Sequence, residues 1–147
     1  MLRSPILQIT FVFVIALASP SSWADGQYVD IFPKSIDEIQ QVLNTLDNNL
    51  DAVPDDENLE PILMMLHGPE AARFLRANYN DNQSIVDQTA KLSGYGIIEV
   101  KICETWMRKN RYSQDQLFNF VSTVAYGAAE LKRLEQDEGY AEYTFDL

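Results

Sequence analysis

Alternating extended and helical segments place this chain in the α/β class, as a single domain with a mostly parallel sheet of about five strands flanked by helices. Three observations predict it. Residues 61–67, PILMMLH, form a continuous apolar run of strand length, the pattern of a strand buried on both faces. Helical spacing follows each strand-like segment, as in parallel crossover units. Residues 25–147, left after an N-terminal leader, have the length of one domain with a single core.

The leader is residues 1–24. Arg3 precedes a mainly apolar run over 6–18, and Ser22 and Ala24 supply the small residues of an export cleavage site. The run is shorter than the roughly 20 apolar residues that span a bilayer. The expectation is a cleaved signal peptide, with a mature protein from about Asp25 that is periplasmic or otherwise exported and not inserted in the membrane.

The elements follow in order. Residues 27–32, QYVDIF, read as a first strand ended by Pro33. Ser35 and Glu38 have capping-box spacing, and Ile36, Ile39, Val42, Leu43, Leu46 and Leu50 fall on one helical stripe. The acidic loop 51–60 leads into the strand 61–67, which Gly68 and Pro69 stop. Pro69 suits the first position of a new helix and Glu70 its positive end. A further helical piece covers 82–92, ended by SGYG. The strand 97–103, IIEVKIC, closes at Cys103, and 104–110 resumes helical character. Ser113 and Gln116 repeat the capping-box spacing. Residues 119–127 read as a short strand, 128–139 as a helix ended by Gly139, and 140–145 as the last strand.

The composition excludes several functions. With 11 basic and 22 acidic residues the formal charge is −11, and losing Arg3 with the leader makes the mature chain more acidic still. Such a surface repels phosphate backbones and anionic membranes, so no nucleic-acid partner is expected. One His and one Cys, without His-x-x-x-His or Cys-x-x-Cys spacing, give no zinc pattern, and no metal is expected. Met64, Met65 and Met107 are core fillers rather than a copper set, because adjacent strand residues face opposite ways. No P-loop, G-x-G-x-x-G or Ser-His-Asp arrangement occurs, and no cofactor is expected.

Ligand sites of open α/β sheets lie outside the carboxyl ends of the strands. His67 and Cys103 both fall there. Cys103 precedes a helix start, whose unpaired N–H groups favour an anion, and Arg108, Lys109 and Arg111 follow, with Glu104 opposing them. A thiolate there is a competent nucleophile, and His67 is a candidate base or thiolate partner. The alternative is that Cys103 is a small buried hydrophobe ending a core strand and His67 a structural residue.

The segment 96–111, GIIEVKICETWMRKNR, resembles that part of DsrE/DsrF-like sulfur-relay proteins in which a strand ends in Ile-Cys before a helix with a basic pair. The matching positions are Gly96, Ile102, Cys103, Arg108 and Lys109, with Asn110 where the family has glycine. Residues 121–143 are similar to the closing segment of the family, and 61–75 to its second strand and turn. The resemblance implies a flavodoxin-like or Rossmann-like fold and a cysteine, here Cys103, that carries persulfide sulfur between a donor and an acceptor protein. It also implies a homo-oligomer, for which seven Tyr and seven Phe supply interface material.

Two functions are therefore weighed. One is an exported sulfur-transfer protein, in which Cys103 becomes a persulfide and Arg108, Lys109 or Arg111 attracts an anionic donor. The other is a non-catalytic exported binding or assembly protein with Cys103 buried. Exposure of the thiol discriminates between them.

Overall fold

The structure, a computed structural model, describes residues 26–31, 34–48 and 60–143. The leader, the acidic loop 51–59, Leu50 of the first helical stripe and the end of the last strand lie outside them. Five parallel strands form one sheet in the order β4-β3-β2-β1-β5. They are β1 (Gln27–Asp30), β2 (Ile62–Leu66), β3 (Ile98–Cys103), β4 (Val121–Val124) and β5 (Ala141–Glu142). The run 3-2-1 is shared with one half of the Rossmann order; β4 extends it beyond β3, and β5 returns to the other side of β1.

Helix α1 (Ile36–Asn48) begins at the expected capping box: Ser35 N–H donates to Glu38 Oε2 at 2.7 Å, and Glu38 N–H to Ser35 Oγ at 3.3 Å. Its Ile39, Val42, Leu43 and Leu46 are buried. Pro69 does open a helical segment, but a 3₁₀ one, Pro69–Phe74, followed by a second short turn, Arg76–Asn78. Leu75 between them is extended and bridges Leu117, which interrupts any α-helix at that point. Helix α2 (Tyr79–Gly94) thus starts earlier than the spacing predicts, and bends at Asn82, where φ is −131°. The second capping box, at Ser113 and Gln116, forms but starts only a 3₁₀ turn, Gln114–Gln116, because Leu117 again turns extended toward Leu75.

Helix α3 (Glu104–Asn110) follows β3 directly, and α4 (Gly127–Arg133) runs into a wider π turn, Leu134–Glu138, closed by Gly139 at φ 75°. That positive φ explains why glycine ends the segment.

Strand alternation divides the core in two. Val29, Ile31, Met64, Leu66, Ile98, Val100, Ile102 and Val121 face α1, α2 and Met107 of α3 in the large cluster. Tyr28, Leu63 and Met65 face the opposite way, against Leu131 and Leu134. One face thus carries three helices. The other is covered by α4 and its continuation, which Tyr28 ties down through a hydrogen bond from its hydroxyl to Glu135. Burial, and then that carboxylate, hold the Tyr28 hydroxyl protonated well above the ordinary range.

Candidate functional site around Cys103

The face under α4 also carries the polar residues of the strands. β3 presents Glu99, Lys101 and Cys103 there, since Ile98, Val100 and Ile102 occupy the other side. Leu66 pairs with Ile102, so the next step of the register sets His67 beside Cys103 at the carboxyl ends of β2 and β3. Asp30 pairs with Met65 on the same face. Its Oδ1 lies 2.9 Å from His67 Nε2. Asp30, His67 and Cys103 form a row across three strand ends.

Gly127, the first residue of α4, sits over this row. A Cβ at that position would lie 3.1 Å from Met65 Sδ, 3.2 Å from His67 Cβ and 3.4 Å from Cys103 Cβ. A side chain there would need Met65 and His67 to give by a few tenths of an ångström, so glycine lets the helix start approach closely without strain. The Gly127 N–H is thereby aimed at Cys103 Sγ, 3.3 Å away.

Cys103 is buried, with 3% of its surface exposed. Burial pushes its thiol pKa up, but the hydrogen bond from the Gly127 N–H, with the backbone N–H groups of Trp106 and Thr105 nearby at the start of α3, outweighs it and the net shift is downward. The groups around the sulfur are close to solvent: Thr105, Ala125 and Tyr126 are exposed, and Thr105 Oγ1 donates to the Ala125 carbonyl at 3.0 Å, bridging α3 to the loop before α4.

The predicted basic residues separate. Arg108 folds back along α3, with Nη2 3.0 Å from Thr105 Oγ1 and Nη1 3.3 Å from Glu104 Oε2. It is thus linked through Thr105 to the surroundings of the thiol. Lys109 and Arg111 stand at the other end of α3, and Arg111, at φ 63°, supplies the left-handed residue that closes it. Asn110 stays helical and donates to the Trp106 carbonyl at 2.8 Å.

Glu70 and Asp30 are the residues that sequence reading missed. Glu70 is buried, and its Oε1 accepts the backbone N–H of His67 at 3.0 Å and of Gly68 at 2.5 Å, fixing the turn that ends β2. Its placement after Pro69 signals a helix start, not a buried acceptor. Asp30 looks like a solvated strand-end carboxylate, and no local spacing announces a partner 37 residues away.

Among the described residues, no group of three or more His, Cys, Asp and Glu could hold a metal ion, and no helix is long and apolar enough to cross a membrane.

No family model matches the chain, and no curated protein matches it. A solved structure does: the protein of unknown function MTH1491 from Methanobacterium thermoautotrophicum is 22% identical, with a TM-score of 0.54 over 79% of this chain and 93% of that one. The similarity is one of fold.

Proposed function

We propose that this protein is a sulfur carrier whose Cys103 thiolate accepts sulfane sulfur, in the manner of the DsrE/DsrF-like family that residues 96–111 resemble. One observation carries the reading: the Gly127 N–H points at Cys103 Sγ from 3.3 Å, a hydrogen bond that favours the thiolate, and the net shift of the thiol pKa is downward despite burial. The thiolate is the nucleophile in sulfur exchange.

In the step, Cys103 Sγ attacks the outer sulfur of a hydropersulfide, R–S–SH. The new Sγ–S bond forms as the R–S to S bond breaks, and the electron pair leaves on R–S⁻. The thiol proton of Cys103 ends on that thiolate, so the products are Cys103–S–SH and R–SH. The Gly127 N–H binds the thiolate more strongly than the neutral thiol, which raises the ionised fraction available for attack. Arg108, held at Thr105, is the basic residue placed to draw an anionic donor; Lys109 and Arg111 have no comparable link to the thiol. The same reading expects export after leader cleavage and a homo-oligomer.

The 3% exposure of Cys103 favours the second reading, a non-catalytic exported binding or assembly protein with a structural thiol. Intact-mass spectrometry after incubation of the native protein with a hydropersulfide separates the two. A carrier gains the mass of one sulfur at Cys103 and loses the adduct in Cys103→Ser. A structural thiol gains nothing unless the protein is denatured first, and that result sinks the carrier reading.

A further inference from the structure

We infer that Asp30 and His67 form a proton-handling pair for Cys103, with His67 as the base for the thiol proton and Asp30 as a positioning residue that orients the imidazole. The inference rests on the carrier reading for its reaction, and on independent geometry for its residues. His67 follows the paired residue Leu66 as Cys103 follows Ile102, and laterally paired residues of adjacent strands lie about 4.8 Å apart. Their Cβ atoms, at 3.2 and 3.4 Å, both border the point where Gly127 lacks a side chain.

Asp30 defines the ring's chemistry. A carboxylate only accepts hydrogen bonds, so the 2.9 Å contact with Nε2 places the neutral ring's proton on that nitrogen. The lone pair is then on Nδ1, the nitrogen nearer the Cβ that packs beside Gly127 and Cys103. This ordering of carboxylate, imidazole and nucleophile is that of an activated nucleophile, where the third group selects the tautomer of the base. Neither member of the pair is sealed from water: the side chains of His67 and Asp30 are 20% and 30% exposed. A proton taken from Cys103 can pass to the departing R–S⁻, which closes the balance of the transfer step.

The charged groups around His67 come from each neighbouring element. β1 supplies Asp30 and β3 supplies Cys103. The turn after β2 supplies Glu70, which takes the backbone N–H of His67. α4 approaches with the backbone of Gly127, while its first-turn Glu130 is held by Arg133 at 2.9 Å. Farther along β3, Lys101 pairs with Glu99 at 3.2 Å.

The test compares the native protein with His67→Gln and Asp30→Asn, following two rates at Cys103 against pH: sulfur loading from a hydropersulfide and alkylation by iodoacetamide. Circular dichroism establishes that each variant is folded. The pair predicts that His67→Gln slows loading about 100-fold near neutral pH and that Asp30→Asn slows it by about tenfold. Both recover toward the native rate at alkaline pH, where the thiol ionises without a base. A structural role lowers the rate by the same factor at every pH, and that result overturns the proposal, as does a native rate in both folded variants. Alkylation that depends on the pair without sulfur loading refutes the carrier reading alone. A native thiol inert to both reagents overturns the pair as well.

Discussion

The two faces of the sheet are built from alternate residues of the same strands, and they differ in kind. Under α1–α3, the strand side chains Val29, Ile31, Met64, Leu66, Val100 and Ile102 are apolar and at most 2% exposed. Under α4, the same strands present Tyr28, Asp30, Met65, His67, Lys101 and Cys103. Three helices and a large cluster make the first face the main source of folding energy. A single helix with its π turn covers the second, whose polar groups meet at the carboxyl ends of β1, β2 and β3. Chemistry is placed where it costs the core least.

The strongest way to break this contrast is on the dry face. Phe74 is fully buried there, edge-on to Phe120 at 6.4 Å between ring centroids. Phe74→Ala removes a large side chain and leaves a cavity, and is expected to destabilise by about 3–5 kcal/mol in chemical denaturation. A loss below about 1 kcal/mol would mean that this face does not carry the fold.

A smaller effect is expected on the wet face from Gly127→Ala. The added Cβ meets Met65 Sδ, which can shift, and the Cβ of His67, which the sheet backbone holds, while Cys103 Cβ at 3.4 Å is in ordinary contact. Overpacking of this kind costs about 1–3 kcal/mol. The displaced N–H also weakens its bond to Cys103, so the thiol should ionise at higher pH than in the native protein. An unchanged thiol titration in a folded Gly127→Ala variant would show that the helix start does not act on the sulfur.

The smallest change sharpens the dry side. Thr89 of α2 is fully buried, and its Oγ1 has no hydrogen-bond partner. Replacing it by valine removes an unsatisfied polar atom at nearly constant shape, and Thr89→Val is expected to gain about 1 kcal/mol. Denaturation showing a loss instead would mean that the hydroxyl is satisfied in solution.

The dry face was largely legible in the sequence, because period decides it. The stripe from Ile39 to Leu46, the run at 61–67 and the helix at 104–110 all follow from spacing and caps. Where the reading departed, a contact distant in sequence was responsible. The bridge between Leu75 and Leu117 shortens two segments whose local signals, Pro69 and the box at Ser113, are those of helix starts. The site was legible in part for the same reason. His67 and Cys103 could be placed at strand ends by strand length alone, but β1 had to be seated next to β2 before Asp30 met His67. The left-handed residue after the basic pair shows a local limit: Asn110 tolerates that conformation, yet the chain assigns it to Arg111.

The claim that the face under α4 favours a thiolate has one direct measurement. Cys103 is the sole cysteine, so ultraviolet thiolate absorbance against pH, taken as native protein minus Cys103→Ser, reports this group alone. A thiol whose folded pKa is depressed stabilises the native state increasingly as pH rises from that value toward the ordinary value of about 8.5, and the contribution is lost as pH falls through the folded pKa. The expected titration midpoint lies below about 8.5. A midpoint at or above about 8.5, the behaviour of a cysteine sealed among apolar side chains, would overturn the claim.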